Sequence, residues 1–154
     1  MTADWPEAHR VYSMLYDDQR GCLGETHPQT LLILNDLATV ELRQGRFSAA
    51  QQSAQHAAHA RTEVLGAEHP DTLRSRFLVG AVLHDAGRTG EARAMFEQLV
   101  PVFDRVFGAS GRETRELVEE LARLVRSVGE EDLARRLEAR GRPGMTTWCR
   151  TTGR

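Results

Sequence analysis

The chain has no lysine, and all 20 of its basic residues are arginine. Its 2 cysteines, Cys22 and Cys149, are too few for a disulfide framework and lack metal-ligand spacing. No apolar run approaches the roughly 18 residues that a membrane span requires. The opening MTADWPEAHR lacks the basic-then-apolar order of a secretory signal. Neither sign of charge dominates. The 22 acidic residues against 20 arginines leave a net charge of −2, so nothing global draws the chain to nucleic acid or an anionic membrane. There is no glycine-rich phosphate loop and no HExxH. These absences lead to the expectation of a cytoplasmic protein without cofactor or metal, binding neither nucleic acid nor membrane. The arginine and alanine bias points to a GC-rich bacterial source of the actinobacterial kind.

What the chain does have is repetition. LGETHPQTL, 23–31, and LGAEHPDTL, 65–73, lie 42 residues apart. Internal repeats decide the architecture, so their extent comes first. Other columns recur in the same register: Leu23-Gly24, Leu65-Gly66 and Phe107-Gly108; Thr30, Thr72 and Thr114; Leu37-Ala38, Val79-Gly80 and Leu121-Ala122; Gly45, Gly87 and Gly129; Ala8, Ala50, Ala92 and Ala134.

Each column has a local physical reason. Gly45, Gly87 and Gly129 follow apolar-periodic stretches, where glycine takes the left-handed conformation cheaply and closes a helix. The Leu-Gly pair is expected to end the second helix of each unit in the same way. His27-Pro28 and His69-Pro70 restart the chain, because proline suits the first helical position. Asp71 in a first turn suits the helix dipole, and the alanine column predicts close helix contact. In 28–44, Leu31, Leu34, Leu37, Ala38 and Leu42 recur every three or four residues, the period of a helix face. The pattern predicts helices over about 6–22, 28–44, 47–65, 70–86, 89–107, 112–128 and 131–140, with ends good to about ±2–4 residues. No strand pattern occurs.

Helix–turn–helix units of this kind resemble tetratricopeptide repeats. The 42-residue length, HPxT at the start, LNDLA within the first helix, QGRF at the turn and LG at the end resemble the kinesin-light-chain type. The resemblance implies an all-α, right-handed superhelical solenoid of about seven helices in antiparallel pairs. Residues 1–141 would form it, as a half-repeat 5–26 and repeats 27–68, 69–110 and 111–141, followed by a basic tail, 142–154. Repeat 2 carries RFLVG in place of LNDLA, and repeat 3 has Gly111-Arg112 in place of His-Pro. The resemblance also implies that the first helix of each pair lines a concave groove where a protein or peptide docks. By position, the groove residues are Leu32, Arg74 and Glu116; Asn35, Phe77 and Glu119; Thr39 and Arg123; Leu42, His84 and Arg126; with Arg43 and Asp85 beside the last row. In the family an asparagine at the Asn35 position holds peptide backbone; Phe77 and Glu119 depart from that pattern. A non-catalytic adaptor is the expected function.

The alternative is a small-molecule- or metal-responsive protein, or an enzyme on a helical scaffold. His56, His59 and Glu63 stand one turn apart, a spacing that metal ligands can use, although a polar outer helix face explains them more simply. His84 and Asp85 are consecutive and point apart on a helix. His27 and His69 recur with the repeat, as capping residues would. Cys22 is expected to be buried or half-buried. The tail from Arg142 has three arginines, no acid, and Trp148 as a candidate anchor. The first helix lacks its partner and the last is short, so 28–44 and 112–128 are expected to be covered less completely than 70–86, with two chains pairing at the N-terminal end and the 142–154 tail folding back at the C-terminal end, Trp148 filling the space of a longer last helix.

Overall fold

The computed structural model describes residues 4–140, and among them every regular element is a helix. The order is α1 (Trp5–Leu23), α2 (Pro28–Arg43), α3 (Phe47–Leu65), α4 (Pro70–Asp85), α5 (Thr89–Phe107), α6 (Arg112–Ser127) and α7 (Glu131–Arg140). Each helix packs on the next, and α2 also touches α4, as α4 touches α6. This is the contact pattern of a solenoid whose repeats meet only their neighbours. The even-numbered helices therefore form one layer and the odd-numbered helices the other.

The two turn types differ, which corrects the expectation of a common glycine stop. After α2, Arg46 N–H donates to Glu41 C=O (2.9 Å) and Gly45 N–H to Leu42 C=O (2.9 Å), with Gly45 at φ +72°. That pair of bonds is the Schellman motif, and it recurs at Gly87 and Gly129. The Leu-Gly stops use one bond instead, such as Gly66 N–H to Thr62 C=O at 3.0 Å, and Gly66 sits at φ +94°, ψ +160°. That conformation is extended rather than helical in ψ, and it turns the chain out toward the next repeat. A Cβ fits in space at Gly87, yet φ there is +80°. Gly87→Val should therefore lose about 1 kcal/mol or more through backbone strain alone, read as a lower thermal midpoint.

The restart is capped as the column implied. His27 Nδ1 accepts the Gln29 N–H (3.2 Å) and His69 Nδ1 the Asp71 N–H (3.1 Å). Gly111 has no side chain to do this. A Cβ there would come to 3.0 Å or less of the Phe107 carbonyl and the Gly108 oxygen.

The core runs along the seam between the layers. Ala50, Ala92 and Ala134 are fully buried, so the alanine column marks close packing. Gly80 replaces alanine in its column, and the ring of fully buried Phe96 fills the space, where Ala54 stands one repeat earlier. Covering of the even helices is nearly equal: α2 and α4 each bury eight residues and α6 seven. This corrects the expectation for 28–44 and 112–128. Each even helix has an odd helix on both sides, and even the ten-residue α7 suffices. The deficit falls on the outermost helices: α1 buries no residue and α7 only Ala134. Cys22 is exposed, contrary to expectation. It lies in the last turn of α1, in the column of Val64, which is also exposed.

Arginines join the repeats at the surface. Arg46 reaches His9 (2.6 Å), Arg88 reaches Gln51 (3.0 Å) and Arg93 reaches Glu130 (2.5 Å), three rungs linking the same two columns. Arg105 pairs with Glu68 and Arg140 with Asp104 in the same fashion.

Candidate groove between the even helices

Three of the thirteen predicted groove residues meet in one place. Arg74 and Phe77 of α4 and Glu116 of α6 line a pocket of about 250 Å³, completed by Phe103 of α5 and by Arg112 and Glu113 of α6. Phe103 is buried and packs on Phe107 with ring centroids 5.1 Å apart; Phe77 packs on Phe96 at 5.7 Å. The floor is therefore aromatic and fixed by neighbouring rings.

The rim is charged and internally paired. Arg74 donates to Asp71 (2.8 Å) and to Glu113 (3.2 Å), and its guanidinium lies 5.8 Å from the Phe107 ring centroid. Arg112 pairs with Glu116 at 2.9 Å. The Glu113 carboxyl is held below its usual range, first by its own backbone N–H and then by Arg74. Two arginines and two glutamates thus frame an apolar floor with no net charge.

The other predicted residues are spread along the even layer. Leu32 is 53% exposed on α2, and Leu42 is half-buried against the core. Thr39 is half-buried and donates its hydroxyl to the Asn35 carbonyl (3.1 Å). Arg43 is exposed at the end of α2; His84 is half-buried and Asp85 exposed at the end of α4. Glu119 is exposed. Arg123 pairs with Glu120 (2.9 Å), while Arg126 turns to α7, bonding Glu131 (3.1 Å) and Glu138 (2.7 Å). Arg126 thus fastens the last helix.

Asn35 belongs to a polar cluster that residue-by-residue reading missed. Ser75 Oγ donates to Asn35 Oδ1 (3.0 Å), and Arg61 Nη1 donates to Ser75 Oγ (2.8 Å) and to the Asp71 carbonyl (3.1 Å). Arg61 is 5% exposed and Ser75 fully buried. Burial lowers the Arg61 pKa, opposed by the charges of Asp71 and Asp36, and raises that of Asp36, opposed by the charge of Arg61. The repeat register held the signal. Ser75 stands in the otherwise apolar column of Ile33 and Leu117, while Arg61 shares its column with Gln19 and Phe103 and Asp36 its column with Leu78 and Glu120. Ser75 is therefore a polar residue at an apolar column, and Arg61 and Asn35 meet it across one interface. Phe103, Arg112 and Glu113 were missed for a different reason: Phe103 lies on an odd helix, and the other two in a first turn.

His56 lies 3.1 Å from Glu25, and no group of three or more metal-capable side chains occurs among the described residues. No helix among them is long and apolar enough to cross a membrane. Arg142, Trp148 and the rest of the tail lie outside the described residues.

Comparison with known proteins agrees with this architecture. Residues 30–71 and 54–105 each match the tetratricopeptide repeat family. The chain is 29% identical over 92 residues to "Tetratricopeptide repeat protein 19, mitochondrial" of Homo sapiens, spanning 60% of this chain and 23% of that protein. A putative kinesin light chain from Podosopora anserina, described as having nearly identical TPR-like repeats, superposes with a TM-score of 0.72 at 22% identity, over 89% of this chain and 65% of that one. BtubC (BKLC) from P. vanneervenii superposes with a TM-score of 0.78 at 13% identity, over 89% of this chain and 55% of that one. The chain spans less than two thirds of each of these relatives, and at such identities the structural likeness speaks for the fold alone. Residues 30–105 match tetratricopeptide-repeat models, and the described residues form a helical solenoid similar in fold to structures of the kinesin-light-chain kind.

Proposed function

We propose that the protein is a non-catalytic interaction module that docks a partner's extended segment along the even helices. Tetratricopeptide repeats generally mediate protein–protein contacts, and the observation that carries the reading is the pocket under Arg74, Phe77 and Glu116. Its volume of about 250 Å³ suits one apolar side chain. Its aromatic floor rewards burial, at roughly 25 cal/mol per Å² of apolar area. Its rim is already paired, so a neutral side chain entering there strands no charge. Exposed Leu32 extends the apolar strip toward α2.

Phe77→Ala, Arg74→Ala and Arg123→Ala should weaken binding of a partner peptide, Phe77→Ala most, by about tenfold or more, as expected for truncating a buried aromatic contact. His56→Ala, on the other layer, should not. Calorimetric titration of the same peptide into each variant, with melting curves to confirm folding, makes the comparison; equal losses from both layers would remove the groove from the proposal. No observation favours the metal-responsive or enzymatic alternative.

The proposal includes self-association through α1. Val11, Met14 and Leu15 are exposed, while Ala57 and Leu99, in the column of Leu15, are fully buried. Light scattering on the wild type and on Leu15→Glu tests it: a mass that stays monomeric at every concentration in both would remove the dimer.

A further inference from the structure

α1 carries an apolar face that its place in the repeat does not require. Among the described residues its only packing partner is α2. Tyr12 and Tyr16 turn inward, against a cluster built from Leu31, Leu34 and Leu37 of α2 with Ala57 and Ala60 of α3. The helical period sends Val11, Met14 and Asp18 the opposite way, with Arg10 on one flank and Leu15 on the other. All five are exposed.

The inner odd helices show what is unusual here. The Leu15 column is buried at Ala57 and Leu99. The Met14 column holds His56 and Gln98, both polar and exposed. Met14 itself is 63% exposed, more than any other large apolar residue among those described. A position that stays in water in two repeats is thus apolar in the helix that has a neighbour on one side only, and it joins Val11 and Leu15 in one patch. Contiguous exposed apolar surface of this kind marks a contact site.

We propose that α1 packs antiparallel on α1 of a second copy of this chain, about a two-fold axis at Met14. The inference rests on the self-association reading above and adds its register. α1 runs from Trp5 to Leu23 and Met14 is its midpoint, so this axis overlaps the two helices along their whole length. In a two-fold contact each pairing occurs twice, and here Arg10 comes opposite Asp18 of the partner subunit. Asp18 forms no ion pair within its own chain among the described residues, since Arg10 goes to Glu7 and Arg20 to Asp17. Parallel pairing would instead set Glu7 and Asp18 against their own copies. α7, the other outermost helix, offers α1 no apolar match: apart from Ala139, every exposed residue on it is charged. Stacking α1 on α7 would therefore bury charge. A single helix pair lies at the small end of specific interfaces, so the dimer is reversible.

Two measurements on the full chain test the register. The first is mild oxidative cross-linking, with Cys149→Ser throughout. Packed helix axes lie about 8–10 Å apart, so residues facing each other at the axis bring their Cα atoms within the roughly 7 Å that a disulfide spans. Met14→Cys, combined with Cys22→Ser, should cross-link to a dimer. Cys22 alone should not, because the two copies of that turn stand about 24 Å apart along the helices at 1.5 Å per residue. The second is sedimentation equilibrium. Arg10→Asp should weaken the dimer about fivefold or more, as the loss of two exposed ion pairs implies, and adding Asp18→Arg should restore it. These positions are exposed, so the fold survives each change. Cross-linking through Cys22 but not through Met14→Cys overturns the antiparallel register and leaves self-association standing. An unchanged Arg10→Asp, or no recovery in the double variant, overturns it as well. A wild type that stays monomeric at every concentration removes the register and self-association together.

Discussion

Gly80→Ala should destabilise the protein by about 1–3 kcal/mol. Helix propensity alone argues the other way, since alanine in a helix interior gains about 1 kcal/mol over glycine. Packing decides the sign. A Cβ on Gly80 would come to 3.0 Å or less of three atoms of the Phe96 ring. That ring is fully buried and stacked against Phe77, so it has no free direction in which to swing. In repeat 1 the matching columns hold Ala38 and Ala54, and volume has moved from one helix to the other in repeat 2. Gly21→Ala, at a site where a Cβ meets nothing within 4 Å, is the control, and it should raise stability by roughly 0.5–1 kcal/mol. Urea melts of the two variants make the comparison. If both shift upward, the Phe96 ring yields more easily than its burial implies.

Gly111→His should also destabilise, by about 1–3 kcal/mol, although it restores the residue found in the other two repeats. Substitutions toward a repeat consensus commonly stabilise, and His27 and His69 do cap their helices. The turn before α6 is tighter. Gly111 N–H donates to Gly108 C=O at 3.0 Å, against 3.5 Å and 3.4 Å for the equivalent bonds of His27 and His69. A Cβ there meets backbone oxygen rather than a side chain that can rotate away. The lost clearance outweighs a cap of about 1 kcal/mol. A higher melting temperature for Gly111→His would mean that the turn relaxes to the geometry of the other repeats.

These two sites show where the sequence was readable. The helix bounds followed from punctuation: histidine-proline before α2 and α4, and a glycine after each of α1 to α6. Those residues act through local backbone geometry, so a single sequence carries their signal. The difference between the two glycine stops was not readable, because ψ at Gly66 depends on where the next repeat packs. Gly80 and Gly111 look like weakened columns in the sequence, and only the neighbouring atoms show that both are required. The groove face was legible as a set of positions, whereas its chemistry was not. Arg74, Arg123 and Arg126 are groove positions in the sequence, and each is held by a glutamate of the fold. Arg61 was passed over because an arginine on an odd helix looks like surface. Comparing it with Phe103 in the same column is what marks it as interior.

The surface rungs that tie each repeat to the next have a chemical consequence. Every one is donated by a guanidinium, and these 154 residues contain no ε-amine at all. Enzymes that acetylate, methylate or conjugate lysine find no substrate along this stretch. The guanidinium also stays protonated at any physiological pH, where a lysine near apolar surface can lose its charge. The solenoid's electrostatic pattern is therefore closed to the commonest form of charge editing, and what remains adjustable on it are hydroxyls, the exposed Cys22 thiol and the arginines themselves.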